Sequence, residues 1–183
     1  MKYKIPTRND VNENIKAIFD NLEKKIGQVP NIYAFTGNSA NALQNYLAFS
    51  QGQANGTFDS KEREAVFLAV SELNGCEYCL SAHSALGKMN GFTEDEILQL
   101  RAGNHPDKKF NVLTRLAAEI QRTHGNPDEE LLQEFAGLGY QEDALVDLVS
   151  LVINVVFTNY IHNIAGFEID FPKAVPLTER LSA

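Results

Sequence analysis

The sequence of 183 residues contains no tryptophan and only two cysteines. Both thiols, Cys76 and Cys79, belong to one Cys-x-x-Cys segment. A secreted protein held together by disulfides would carry more cysteines, spread along the chain. The scarcity of cysteine therefore argues against a disulfide scaffold. It predicts a reducing, cytoplasmic environment and a chemical use for the two thiols.

Basic residues are also few. Sixteen Lys and Arg residues face 24 Asp and Glu residues, which gives a formal charge of -8 and a pI near 5.0. A surface of this sign repels phosphates, and no basic run interleaved with aromatic residues is present. The charge balance therefore predicts neither a nucleic acid nor an anionic membrane as a partner.

Long apolar runs are scarce as well. The polar start of the chain lacks the apolar stretch of a secretory signal. The most apolar segment, Leu145 to Phe157, is interrupted by Asp147, Ser150 and Asn154. We expect this segment to be too short and too polar to span a bilayer, and to form a buried core helix instead.

Helix signals occur along most of the chain. Apolar residues recur with a period of 3.6 between Val11 and Ile26, and Asp59 with Glu62 has the spacing of a capping box. The pattern predicts helices over about 11–26, 30–37, 39–52, 59–74, 75–90, 93–103, 106–123, from 126 onward and 141–165. An extended tail covers 167–183, and no segment is typical of a strand, a repeat or a linker. The sequence therefore predicts an all-α fold, with residues 1–183 forming a single multihelical domain.

Three residues with reactive side chains fall on one predicted helix. At about 100° per residue, Cys79 lies about 60° around the helix from Cys76 and about 40° from His83. Residues three apart can form a disulfide, and residues four apart are neighbours. The turn at Gly75 also places both thiols near the helix start, where unpaired N–H groups favour the thiolate. The segment therefore predicts a redox-active dithiol with an adjacent imidazole.

A carboxylate from the preceding helix is expected to complete this site. If the helices on either side of Gly75 form an antiparallel hairpin, Glu64 and His83 lie at similar heights and can face each other. A carboxylate beside an imidazole orients its tautomer and raises its basicity. We therefore interpret Glu64 and His83 as a proton relay.

These residues carry a resemblance to a known family. Glu64, followed after twelve positions by Cys76-Glu-Tyr-Cys79 and then by His83, resembles the signature of the alkylhydroperoxidase D-like family. This family lies within the carboxymuconolactone decarboxylase-like superfamily. The similarity is strongest over residues 59–91. The tail with Asn159, His162 and Asp170-Phe-Pro is similar to that of the longer peroxidase-related members.

The resemblance implies a function and a role for each residue. It implies a thiol-dependent peroxidase in which Cys79 attacks the hydroperoxide, Cys76 resolves the product, and Glu64 with His83 relays protons. It also implies a homo-oligomer (a dimer, trimer or hexamer) and a dithiol electron donor, which is a lipoyl-bearing protein for some members. The redox-active disulfide replaces a bound cofactor, and we expect no cofactor or metal.

One position departs from the family pattern. Tyr78 stands where well-studied peroxidases of the family have a histidine, and a phenol that titrates near pH 10 cannot shuttle protons near neutrality. Tyr78, Asn159 and His162 are further candidates for the pocket around the thiols. For His162, a histidine held by hydrogen bonds in the core is the more ordinary interpretation.

Three alternatives use the same side chains. The thiols, His83 and Glu64 could supply four metal ligands, although structural zinc usually draws a second pair of ligands from elsewhere in the chain. The chain could also be a thiol–disulfide oxidoreductase, or a non-enzymatic protein whose disulfide switches its assembly.

Overall fold

The computed structural model describes residues 3–177, and within this range it contains nine α-helices and no strand. The predicted all-α class is therefore confirmed. The helices are α1 (Glu13–Ile26), α2 (Asn31–Thr36), α3 (Ala40–Gly52), α4 (Ser60–Leu73), α5 (Glu77–Met89), α6 (Glu94–Ala102), α7 (Lys108–Arg122), α8 (Glu129–Ala136) and α9 (Glu142–Ala165).

Local capping sets several of the helix boundaries. Asp59 and Glu62 form the predicted capping box at the start of α4, in which each side chain binds the backbone N–H of the other residue. Gly27 ends α1 in the left-handed conformation, with a φ of 80°. These boundaries follow from side chains within one turn of the helix end, which is why the sequence pattern predicts them.

The start of α8 differs from the prediction. Asn126 and Pro127 have the pattern of an N-cap followed by a first helical residue, yet α8 begins at Glu129 with Asp128 as its N-cap. Asn126 instead closes the preceding helix: its backbone N–H donates to Thr123 Oγ1 and its side chain donates to the Thr123 carbonyl. Asn126 therefore caps the end of α7, and α8 starts two residues later than the pattern suggests.

Helix α4 is the central element of the fold. It packs against α5, α6, α7 and α9, and its residues Val66 and Val70 are fully buried. On one side they join a core built from α7, α8 and α9, and on another Ala65 and Leu68 pack against α6. The turn at 74–76 then reverses the chain, so that α5 returns along α4 as the predicted hairpin.

Helix α9 combines a buried face with an exposed apolar face. Leu148, Leu151 and Val155 belong to the core, as predicted for a core helix. The apolar segment Leu145 to Phe157 is the central part of a longer helix. The complete helix has 24 residues, and among the described residues it is long and apolar enough for a span, with a mean hydropathy of 1.8. Of that window, 44% is buried in the structure, and the core helix of a soluble protein meets the same criteria of length and composition.

The segment after α9 lies across the dithiol end of the molecule. Arg101 donates from Nη1 to the Val175 carbonyl at 2.6 Å, and the backbone N–H of Asn31 donates to Asp170 at 2.8 Å. These bonds attach the segment to α6 and α2. The predicted tail of 167–183 is described as far as residue 177, and residues 178–183 lie outside the described range.

Candidate active site

The two thiols lie at the start of α5 and are joined as a disulfide, with their Cα atoms 5.3 Å apart. Cys76 is the N-cap residue, and its sulfur accepts a hydrogen bond of 3.3 Å from the backbone N–H of Cys79. In the reduced state this N–H stabilises a thiolate on Cys76. The helix start therefore acts more directly on Cys76 than the sequence pattern suggested, because helix α5 begins one residue after it.

Glu64 and His83 meet across the α4–α5 hairpin. His83 Nδ1 lies 2.8 Å from Glu64 Oε2, and both side chains are largely removed from solvent. A carboxylate can only accept, so Nδ1 carries the proton and Nε2 of the neutral ring keeps its lone pair. The ring also packs against Phe67 at a centroid distance of 4.9 Å, which restricts its orientation. This geometry makes Nε2 available as a base.

A cavity of about 520 Å³ opens beside this pair. Cys79 and His83 both line it, together with Thr158 from α9. The rest of the lining is mainly apolar or aromatic and includes Ile32, Tyr33, Tyr46, Ala82, Leu86 and Phe171, with Lys25 also on the lining. Burial raises the pKa of both Tyr33 and Tyr46, so their phenols stay neutral at physiological pH. The cavity therefore suits an organic molecule with an apolar body.

Tyr78 also lines the cavity, and its hydroxyl has a structural contact. The oxygen accepts a hydrogen bond of 3.2 Å from the backbone N–H of Ile32 at the start of α2. Burial raises the pKa of this phenol far above its ordinary value, and the nearby Asp170 carboxylate adds to the shift. The phenol therefore stays protonated, and it connects α5 to α2 rather than carrying protons.

His162 and Asn159 lie on α9 and face different neighbours. His162 approaches the first thiol, with its Nδ1 3.9 Å from Cys76 Sγ. Asn159 is fully buried and binds two side chains of α4 and its turn: it donates to Ser71 Oγ and accepts from Asn74 Nδ2 at 2.8 Å. Asn159 thus holds the turn that precedes Cys76, and does not line the cavity.

Sequence reasoning missed Thr158. Its hydroxyl oxygen lies 4.0 Å from Cys79 Sγ and also donates to the Val155 carbonyl. The signal was present, because Thr158 precedes His162 by four positions and so shares its helix face. Two buried polar residues on one face of a largely apolar helix indicate that this face meets a polar site.

The described residues contain no cluster of three or more His, Cys, Asp or Glu side chains with the geometry of a metal site.

Comparison with known proteins gives one family match and several similar folds. The model of the carboxymuconolactone decarboxylase family matches residues 40–121. The uncharacterized protein YdfG of Bacillus subtilis (strain 168) is 31% identical over 99 residues, which are 51% of this chain and 65% of that protein. This chain thus matches somewhat less than two thirds of the length of that relative.

Two solved structures resemble the whole fold. An alkylhydroperoxidase AhpD core protein, an uncharacterized peroxidase-related protein from Ralstonia eutropha JMP134, has a TM-score of 0.82 at 18% identity, over 92% of both chains. The debrominase Bmp8, as its C82A variant in complex with 2,3,4-tribromopyrrole, has a TM-score of 0.77 at 16% identity, over 93% of both chains. Residues 40–121 are thus similar to the carboxymuconolactone decarboxylase family, and the chain has the fold of the alkylhydroperoxidase AhpD core protein.

Proposed function

We propose that this protein is a thiol-dependent peroxidase that reduces organic hydroperoxides through Cys79 and Cys76. One observation carries the proposal: Cys79 lines the cavity beside His83, whereas Cys76 lies outside the lining and is fully buried. A small substrate therefore reaches the second thiol and its base together. This arrangement favours Cys79 as the attacking sulfur and Cys76 as the resolving one.

The proposed reaction has two steps and balances in protons. His83 takes the proton of the Cys79 thiol, the thiolate attacks the terminal peroxide oxygen, and the alkoxide leaves with the proton that His83 returns. The product is a sulfenic acid on Cys79 and an alcohol. Cys76 then attacks the sulfenic sulfur, which forms the disulfide and releases water. Glu64 holds His83 in the required tautomer throughout.

The burial of the disulfide also limits which electron donors can reach it. Cys76 and Cys79 are 0% and 2% exposed, so the thiol of a globular partner cannot reach them without movement of the protein. A dithiol on a long, thin arm can enter through the cavity. A lipoyl-bearing protein, which the family resemblance implies, has this shape, and we propose it as the donor class.

A single-turnover experiment tests the proposal. The reduced protein is mixed with cumene hydroperoxide, and the thiols are followed by mass spectrometry. We expect one equivalent of peroxide to be consumed and the Cys76–Cys79 bridge to form. Cys76→Ser should stop at a sulfenic acid, and Cys79→Ser should form none. Accumulation of the sulfenic acid on Cys76 instead would reverse the assignment of the two thiols.

The aromatic lining of the cavity favours a second candidate, the reductive removal of bromine from an aromatic ring. The debrominase Bmp8 shares the fold, and here Tyr33, Tyr46 and Tyr78 line a cavity beside Cys79. The dithiol would supply two electrons, so that an aryl bromide and two thiols give the arene, bromide, a proton and the disulfide. Bromide release from a bromopyrrole in the presence of dithiothreitol, without peroxide consumption, would favour this reaction over the first.

Two further measurements distinguish the peroxidase from a thiol–disulfide oxidoreductase and from a redox switch. Reduction of a model disulfide without peroxide turnover would indicate an oxidoreductase. A change in oligomer size with redox state, without turnover of either substrate, would indicate a switch.

A further inference from the structure

The Glu64–His83 pair does not accept the proton of Cys76, the resolving thiol, because that pair lies at the cavity with Cys79. Cys76 lies at the helix cap, outside the cavity lining. The imidazole nearest to its sulfur comes from another helix: His162 of α9 places Nδ1 3.9 Å from Cys76 Sγ. This distance is within the range of a hydrogen bond that involves sulfur.

The second nitrogen of His162 determines the tautomer. Nε2 lies 3.1 Å from the carbonyl oxygen of Phe167, and a carbonyl can only accept a hydrogen bond. Nε2 therefore carries the proton, and in the neutral ring Nδ1 has a lone pair that points toward the sulfur. A histidine that only packs in the core could make the Nε2 bond to Phe167. It would not need a second, basic nitrogen next to a thiol.

The surroundings of His162 keep this ring neutral and fixed. Its ring packs between Tyr78 and Phe167, at centroid distances of 5.2 and 4.9 Å. Burial lowers the pKa of His162 below its ordinary value, while the Phe167 carbonyl and the charge of Glu77 on α5 oppose the shift. The phenol of Tyr78 is uncharged. A neutral imidazole is the form that can accept a proton.

We propose that His162 is a second acid–base residue, dedicated to Cys76. This proposal rests on the peroxidase function above and adds to its second half. As the Cys76 sulfur attacks the sulfenic acid, the S–S bond forms and the S–O bond breaks; His162 Nδ1 takes the thiol proton, and the leaving hydroxide takes a proton from solvent and departs as water. When the donor dithiol reduces the disulfide, protonated His162 returns its proton to the Cys76 sulfur.

The two thiols thus have separate bases on separate helices. His83 follows Cys79 on α5, and His162 reaches Cys76 from α9. The position that Tyr78 occupies, where the family has a histidine, is consistent with this division, since a protonated phenol cannot serve Cys76. His162 supplies an imidazole to the first thiol through tertiary packing.

The test measures the two steps separately in His162→Gln, whose amide can still donate to the Phe167 carbonyl. Reduced protein is mixed with cumene hydroperoxide, dimedone traps the sulfenic acid, and mass spectrometry follows the disulfide. We expect the sulfenic acid to form at the wild-type rate and the disulfide to form about 10²–10⁴-fold more slowly, the usual range for loss of acid–base assistance. His83→Gln is the matched control and should slow the first step instead.

A peroxide-free measurement keeps this proposal distinct from the proposed function. Reduction of the oxidised protein by dithiothreitol should be slower in His162→Gln, because the leaving Cys76 thiolate has lost its proton donor. If wild-type protein forms no sulfenic acid, the peroxidase function fails, and this reduction rate still decides the role of His162. Wild-type rates for both disulfide formation and disulfide reduction would overturn the proposal. His162→Asn, with a smaller amide, replaces the glutamine variant if that variant does not fold.

Discussion

Glu64 and His83 are joined by a single hydrogen bond, and this makes their kinetic effects interdependent. If Glu64 acts by orienting His83, then Glu64→Gln and His83→Gln should each slow dithiol oxidation by about 10²–10⁴-fold. The double variant should be little slower than the poorer single one, since residues that act as a unit are non-additive. Stopped-flow oxidation with cumene hydroperoxide measures all three variants.

A neighbouring glutamate, Glu62, provides a control for the Glu64 and His83 variants. Glu62 is equally buried on α4, but it binds Tyr140 and the N-cap of its own helix. Glu62→Gln should therefore leave the oxidation rate near that of the wild type. Independent, multiplying losses for Glu64 and His83 would show that they have separate roles.

Tyr78 is expected to affect stability more than rate. Its oxygen accepts the N–H of Ile32, and Tyr78→Phe leaves this buried donor without a partner. We expect the free energy of unfolding to fall by about 1–3 kcal/mol, while the oxidation rate changes little. Urea denaturation of the variant measures the loss.

Tyr160 offers a matched comparison for this change. Its hydroxyl accepts a bond from Gln121, but the side chain is half exposed and water can replace the lost partner. Tyr160→Phe should therefore cost less stability than Tyr78→Phe. A large fall in the oxidation rate of Tyr78→Phe would instead indicate that the phenol takes part in the chemistry.

A buried cation, Arg101, helps to hold the segment after α9 in place. Arg101 is nearly inaccessible, pairs with Glu72 at 2.7 Å and donates to the Val175 carbonyl. Arg101→Gln should lower the free energy of unfolding by about 1–3 kcal/mol, because two acceptors lose a charged donor. It should also expose the segment at 167–177 to proteolysis. Urea denaturation and limited proteolysis with trypsin measure the two effects.

The exposed ion pair between Arg115 and Glu134 provides a comparison for the Arg101→Gln variant. Arg115 pairs with Glu134 at 3.2 Å, and both side chains are substantially solvated. Arg115→Gln should cost at most about 1 kcal/mol, as is usual for a surface ion pair. Equal losses in both arginine variants would mean that Arg101 does not anchor the segment.

At the level of the assembled molecule, we expect copies of the chain to meet through the exposed face of α9. Its large apolar side chains follow one another at steps of three and four residues, the spacing of a seam between packed helices. They are Val146, Val149, Ile153, Phe157, Tyr160 and Ile164. We expect sedimentation at micromolar concentration to show a dimer or larger assembly that forms through this face.

A charge placed in the seam tests the site of association. Ile153 is 56% exposed on α9, and Ile26 is 55% exposed on α1, so the two isoleucines are matched in type and accessibility. Ile153→Asp should give a smaller assembly, since a carboxylate would be buried without a partner, and Ile26→Asp should not. A wild-type monomer, or an assembly that both variants leave intact, would contradict the prediction. Binding of the wild-type monomer to lipid vesicles would assign the seam to a membrane instead.

Local signals in the sequence determined most of the helices and the main part of the site. Caps such as Asp59 with Glu62 and the left-handed Gly27 act within one turn, so their effect does not depend on the rest of the fold. Glu64 and His83 were predictable for a similar reason, since they lie on two helices joined by one short turn and their heights follow from counting residues.

Only the tertiary structure decided which more distant groups meet the thiols. His162 follows Cys76 by 86 positions, and Tyr78 reaches Ile32 across 46 positions. Periodicity shows which face of a helix is buried, but the neighbour of that face depends on how all the helices pack together. The cavity beside Cys79 and the separate imidazole at Cys76 arise from this packing, because each is built from helices that no local pattern connects.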